Sequence, residues 1–139
     1  MADEDSSRFS FALIGDLPYK VKIGQKDKSF NTLVDQLNAE KDLSWVVHVG
    51  DIKKGAAPCS DKFIMDRKKR FDRIKLPFVL TPGDNEWTDC HRFTSGSYDP
   101  LERLEKLREI FFSNDHSRLR SVSEGVRIQG DESKKHAVY

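Results

Sequence analysis

Three stretches decide the fold: FALIGD at 11–16, WVVHVGD at 45–51 and FVLTPGD at 78–84. In each, an apolar run stops at Gly-Asp. Short runs of Val, Ile, Leu and Phe bounded by Gly or Pro read as strands buried on both faces of a parallel sheet. Each then delivers a carboxylate, Asp16, Asp51 or Asp84, at its C-terminal end. In open α/β sheets that edge is where ligands bind, because the loops leaving the strands form a crevice there. Like charges crowded together would drive one another toward protonation unless a cation compensates them, so the pattern points to a metal site. The Gly before each Asp is expected to let the backbone turn tightly off the strand.

The spacing carries the argument outward. Asp16, Asp51 and Asp84 are separated by about the length of one βαβ unit, roughly 30 residues or more. Between the first two strands, Ser29 is expected to cap a helix bearing Phe30, Leu33, Val34 and Leu37. Between the second and third, Ser60 caps one bearing Phe63, Ile64, Phe71 and Ile74. Asp99-Pro100 starts a third, with Leu101, Leu104, Leu107 and Phe111 as its stripe. Right-handed crossovers place all three Gly-Asp ends on one edge.

Composition sets the limits. A chain of 139 residues suits one domain. Its net charge of +1 gives no bulk attraction to nucleic acid or to an acidic membrane, and neither is expected as a partner. Arg67, Lys68, Lys69 and Arg70 form the most basic run and read as a solvated helix face. No segment has the roughly 18 apolar residues of a membrane span, and the opening MADEDSSRFS lacks a hydrophobic signal core, so a cytoplasmic location is expected. Residues 1–8 read as a flexible N-terminus, 9–112 as the domain, and 113–139 as a polar, weakly ordered tail.

GDLPY, HVGDIKKG and TPGDNEW resemble, in order and spacing, the first three motifs of the calcineurin-like metallophosphoesterases, usually written D-x-H, G-D-x-x-D and G-N-H-E. The resemblance covers about positions 9 to 112 and implies an α/β fold. The expected architecture is a partial αββα sandwich with a parallel βαβαβ core and a metal-binding edge at the strand C-terminal ends. It also implies a two-metal centre that hydrolyses phosphate esters. The ions would be Mn, Fe, Zn or Mg, and the visible carboxylates favour the hard ones. Carried over, Asp16 corresponds to a ligand of one metal and Asp51 to the carboxylate bridging both. Asp84 stands where the family has its Asn ligand, and Asn85 at the usual His near the leaving oxygen. A shift of one position would instead make Asn85 the ligand, and both alignments stay open.

The departures matter as much. Pro18 occupies the His position of the first motif, and Lys54 the second acidic position of the second, where it contacts a phosphate or faces solvent. The family's two later, His-bearing motifs have no counterpart, and His116 and His136 lie in the polar tail without a G-H-x-H pattern. His48, within a strand, reads as a hydrogen-bonded core residue. His91 is either a substitute proton donor or phosphate contact, or a loop residue without chemistry. Arg92 beside it offers a planar fork suited to phosphate oxygens. Cys59 and Cys90 follow the second and third motifs and fall on neighbouring loops. They are bridged only if their Cα atoms approach within about 7 Å. Two reduced thiols would suit a cytosolic location.

The sequence therefore reads as the N-terminal half of such a domain, truncated and of doubtful activity alone, acting on an unknown phosphate ester. The alternative is a non-catalytic interaction module that keeps the fold and associates with a partner or with itself over an open sheet face. A phosphoaspartate phosphatase or receiver-like domain fits less well, since those gather their acids on one or two strands.

Overall fold

Local chemistry sets each element of the computed structural model, which describes residues 9–112. The strands are β1 (Ser10–Ile14), β2 (Leu43–His48) and β3 (Phe78–Leu80). The helices are α1 (Lys28–Ala39), α2 (Asp61–Phe71) and α3 (Pro100–Phe112), with 3-10 turns at Thr88–His91 and Phe93–Ser95. Ser60 caps α2 as expected, its hydroxyl accepting from the Phe63 N–H at 3.4 Å. Asp99 does the same for α3, accepting from the Glu102 N–H at 2.9 Å. At α1 the expectation of Ser29 is corrected. The cap is Asp27, which has extended backbone and accepts from the Phe30 N–H at 3.0 Å. Both residue types cap well, so composition could not choose between them.

The sheet is parallel with order β1-β2-β3, and Ala12 pairs with Val46, Ile14 with His48, and His48 with Leu80. With right-handed crossovers, an order that never reverses winds both connecting helices onto the same face. The core accordingly lies on one side. Phe30, Val34 and Leu37 of α1, Ile64 and Phe71 of α2 and Leu107 of α3 join Val46 and Leu80 in one buried cluster, with Ala12, Ile14 and Phe78 packed against it. Burial on both faces, expected from the apolar runs, is therefore corrected. The alternate residues Phe11, Leu13 and Val49 are exposed, with Leu13 at 63 %. The crevice likewise needs no reversal of strand order. It forms where the loops after the three strands meet.

A second correction concerns the basic run. Arg67 is fully buried and is not part of a solvated face. Its guanidinium donates to the Ile52 carbonyl at 2.8 Å and to the Val21 carbonyl, and pairs with Asp66 at 2.7 Å. Burial lowers its pKa to about 10. Lys68 and Arg70 stay partly exposed, each making an i,i+4 ion pair, with Asp72 and Asp66 respectively. Among the described residues no helix is long and apolar enough to cross a membrane. The flexible segments expected at 1–8 and 113–139 lie outside the described residues.

Candidate functional site

The sheet ladder continues past the strands and lines up the first two aspartates. Val49 N–H donates to the Ile14 carbonyl at 2.8 Å and Asp16 N–H to the Gly50 carbonyl at 3.1 Å. Thr81 N–H donates to the His48 carbonyl at 2.8 Å, anchoring the third loop. Asp16 (φ 55°) and Asp51 (φ 60°) both stand in left-handed backbone, a conformation that Asp tolerates better than most residues and that clusters at functional sites. The turns off the first two strands are thus made by the aspartates themselves, with Gly50 also at φ 100°.

Gly83 serves close approach instead of a turn. A Cβ there would lie 2.6 Å from the Asp51 nitrogen and would collide with its carboxylate oxygen. One on Gly50 would stand 2.6 Å from the Gly83 Cα. The two loops pack backbone to backbone, and no larger residue fits at either point.

The carboxylate of Asp51 is raised above the usual range, first by burial, then by the Asp84 and Asp16 charges and a hydrogen-bond contact with Asp84. The Asn85 N–H, 3.4 Å from Asp51 Oδ1, opposes that shift. The structure thus brings Asp16, Asp51 and Asp84 together around Asp51. Carboxylate oxygens that destabilise one another in this way are the donor chemistry that a hard divalent cation satisfies. Among the described residues, however, no group of three or more His, Cys, Asp or Glu side chains is arranged to hold an ion. The donor set fits a metal chemically, while a finished ligand cage is not formed by these side chains alone.

The other expected residues are distributed differently. Asn85 is buried at 6 % exposure. Its side-chain amide donates to the Lys53 carbonyl at 3.0 Å and lies 3.5 Å from the Tyr19 hydroxyl, so its link to Asp51 is through the backbone. Lys54 is exposed. His91 is exposed and its Nδ1 lies 2.7 Å from the Thr88 carbonyl. Arg92 pairs with Asp89 at 2.7 Å and stays half exposed. Gly55 brings this second group close: a Cβ on it would stand 2.9 Å from both Arg92 Nη1 and Asn85 Oδ1, and 3.0 Å from Asp89 Oδ2. Arg92 therefore borders Asn85 at the rim.

Sequence reasoning missed the buried charges beneath the loops. Glu86 and Lys53 are fully buried. Burial raises Glu86 to about 7 against the pull of the Gly83 and Ile52 N–H groups. Burial lowers Lys53 to about 8, with Glu86 and Asp89 acting the other way, and its ammonium donates to the Ala57 carbonyl at 3.0 Å. Both residues sit inside the quoted motifs. A charged residue in a loop reads as solvated, and only close packing of neighbouring loops overrides that reading.

His48 and the cysteines tie the loops to one another. His48 is buried, as expected. Its Nδ1 accepts from the Gly50 N–H at 3.0 Å, which leaves Nε2 as the donor to the Leu17 carbonyl at 2.7 Å. Burial holds its pKa below the ordinary value. Below about pH 6.5 the unfolded ring takes up a proton that the folded ring does not, so stability falls as pH drops through that value. Urea midpoints at pH 5.5 and 7.5 should show this loss, and His48→Phe should flatten it. An unchanged slope in the variant would remove His48 from the account. Cys59 and Cys90 form a disulfide with Cα atoms 5.7 Å apart, and both sulfurs lie 3.8 Å from the Asn85 carbonyl oxygen.

These strand-end loops, with Asp16 and Asp84 set near a central aspartate, define a class. The family model described as calcineurin-like phosphoesterase matches residues 9–134, and the chain belongs to that family. The match begins with β1 and runs past the end of α3. Neither the curated proteins nor the solved structures contain a match to it.

Proposed function

We propose that this domain is a metal-dependent phosphate ester hydrolase whose activity on its own is low. The observation that carries the reading is the convergence of Asp16 and Asp84 on Asp51, in a family defined by phosphoester chemistry. Asp16, Asp51 and Asp84 would hold the divalent cations, of which Mn or Mg suits the oxygen donors best. When bound, such ions supply Lewis acidity and a water acidified for attack on phosphorus. The chain's own residues have separate tasks. Asp51, fixed in left-handed backbone with the Asn85 N–H at one oxygen, keeps its carboxylate presented to the crevice. Arg92 and Lys54 are the cations exposed beside it for the phosphate oxygens.

Low activity follows from proton management. Asn85 cannot act as an acid near neutral pH, and its amide is engaged by Lys53. Loss of a general acid typically costs about 100-fold to 10,000-fold. His91, exposed beside Arg92, is a group able to supply a proton from solvent. Hydrolysis of p-nitrophenyl phosphate and its bis ester with Mn, Mg, Zn or Fe, compared with Asp51→Asn, tests this. Weak metal-dependent turnover that Asp51→Asn abolishes is expected. Robust turnover abolished by the substitution would reject the low-activity part, and equal background in both would reject the enzyme.

A second reading is supported by the exposed apolar side of β1, where Phe11 and Leu13 face away from the core. In that reading the domain is an interaction module and associates over this face. Sedimentation of the chain and of Leu13→Lys would separate the two, since a monomer in both leaves the module without support. As to location, disulfides persist in oxidising compartments, so the Cys59–Cys90 bridge favours one of these over the cytoplasm.

A further inference from the structure

Asp51 holds a left-handed backbone where the loop after β2 packs on the loop after β3. Glu86, on the second of these loops, reaches the first as well. Its Oε1 accepts from the Gly83 N–H at 3.1 Å and from the Ile52 N–H at 3.4 Å. Ile52 follows Asp51 in the chain, and Gly83 packs against the Asp51 carboxylate. Gly83 is the residue whose missing Cβ lets that carboxylate approach. Glu86 is fully buried, and among the described residues its Oε2 has no hydrogen-bond partner. A group serving packing alone would be apolar there, because a buried carboxylate is costly and a buried unpaired oxygen more so. The position holds an acid because two backbone N–H groups converge on it, and an apolar replacement would leave them unpaired.

We propose that Glu86 is the positioning residue of the site: by gathering the N–H groups of Ile52 and Gly83 it sets the Asp51 carboxylate for cation binding. This rests on the metal-dependent hydrolase reading, and the experiment separates the two. In the full chain, Glu86→Ala and Glu86→Gln are compared with wild type by amide hydrogen exchange and by calorimetric titration with Mn. Glu86→Ala should raise exchange at Ile52 and Gly83 at least about 10-fold while the α2 amides keep their protection. It should weaken Mn binding by about 10-fold to 100-fold, the range seen when groups that orient metal ligands are removed. Glu86→Gln keeps one acceptor oxygen and should restore the exchange protection and most of the affinity. Unchanged exchange at the two amides in Glu86→Ala would overturn the proposal, as would lost protection with Mn affinity intact. If Glu86→Ala fails to fold, Glu86→Gln decides, since loss of protection at the two amides there overturns it. Absence of Mn binding by wild type would defeat the hydrolase reading and with it the cation-binding role, while the exchange arm would still show whether Glu86 holds the loops.

Discussion

Reducing the Cys59–Cys90 bridge, or replacing both cysteines by serine, is expected to lower the thermal midpoint by on the order of 10 °C. The bridge closes a loop with a sequence separation of 31. For that span, loop-closure entropy in the unfolded chain amounts to about 3 to 4 kcal/mol. Each kcal/mol shifts the midpoint of a domain this size by a few degrees, about 2 to 8 °C. The bridge also joins the loop after β2 to the turn after β3, and both sulfurs press on the Asn85 carbonyl. Reduction should therefore loosen the backbone link between Asn85 and Asp51 in addition to lowering global stability. Calorimetric scans with and without reductant measure the first effect, and exchange at the Asn85 amide the second. A midpoint that reductant leaves unchanged would mean that the two loops hold together without the bridge.

Replacing Arg67 by Met is expected to cost about 3 to 5 kcal/mol, the range for breaking a buried, hydrogen-bonded charge network. The side chain is fully buried, lies 4.2 Å over the Phe63 ring, and joins α2 to the loop after β1 through Val21 and to the loop after β2 through Ile52. Met would fill much of the volume and leave both carbonyls without their donor, at about 1 to 3 kcal/mol each. Asp66 would be less affected, because Arg70 at 2.7 Å and the Gly24 N–H at 3.1 Å still serve it. Arg67→Lys should recover only part of the loss, since one ammonium cannot reach all the acceptors that the planar fork spans. Urea denaturation of the three proteins gives the ranking. A loss below about 1 kcal/mol for Met would show that water replaces the guanidinium at the freed carbonyls.

The sequence by itself determined the strands, the crossover helices and the sheet edge from which the loops bearing Asp16, Asp51 and Asp84 leave. Those features rest on local signals: apolar runs with a fixed stop, capping residues such as Ser60 and Asp99, and connections of crossover length. His48 was legible for the same reason, since a His inside an apolar strand must satisfy its ring nitrogens within the fold. Tertiary structure decided what depends on which segments become neighbours. It left the Phe11 and Leu13 face of β1 outside the core, because an unreversed strand order puts the helices on one side. It buried Arg67, whose basic run read as a solvated helix face, and with it Lys53 and Glu86 beneath the strand-end loops. It turned the Asn85 amide toward Lys53 and brought Cys59 to Cys90. Charge and side-chain type are properties of a residue, whereas desolvation and partnership belong to the packing of residues far apart in the chain.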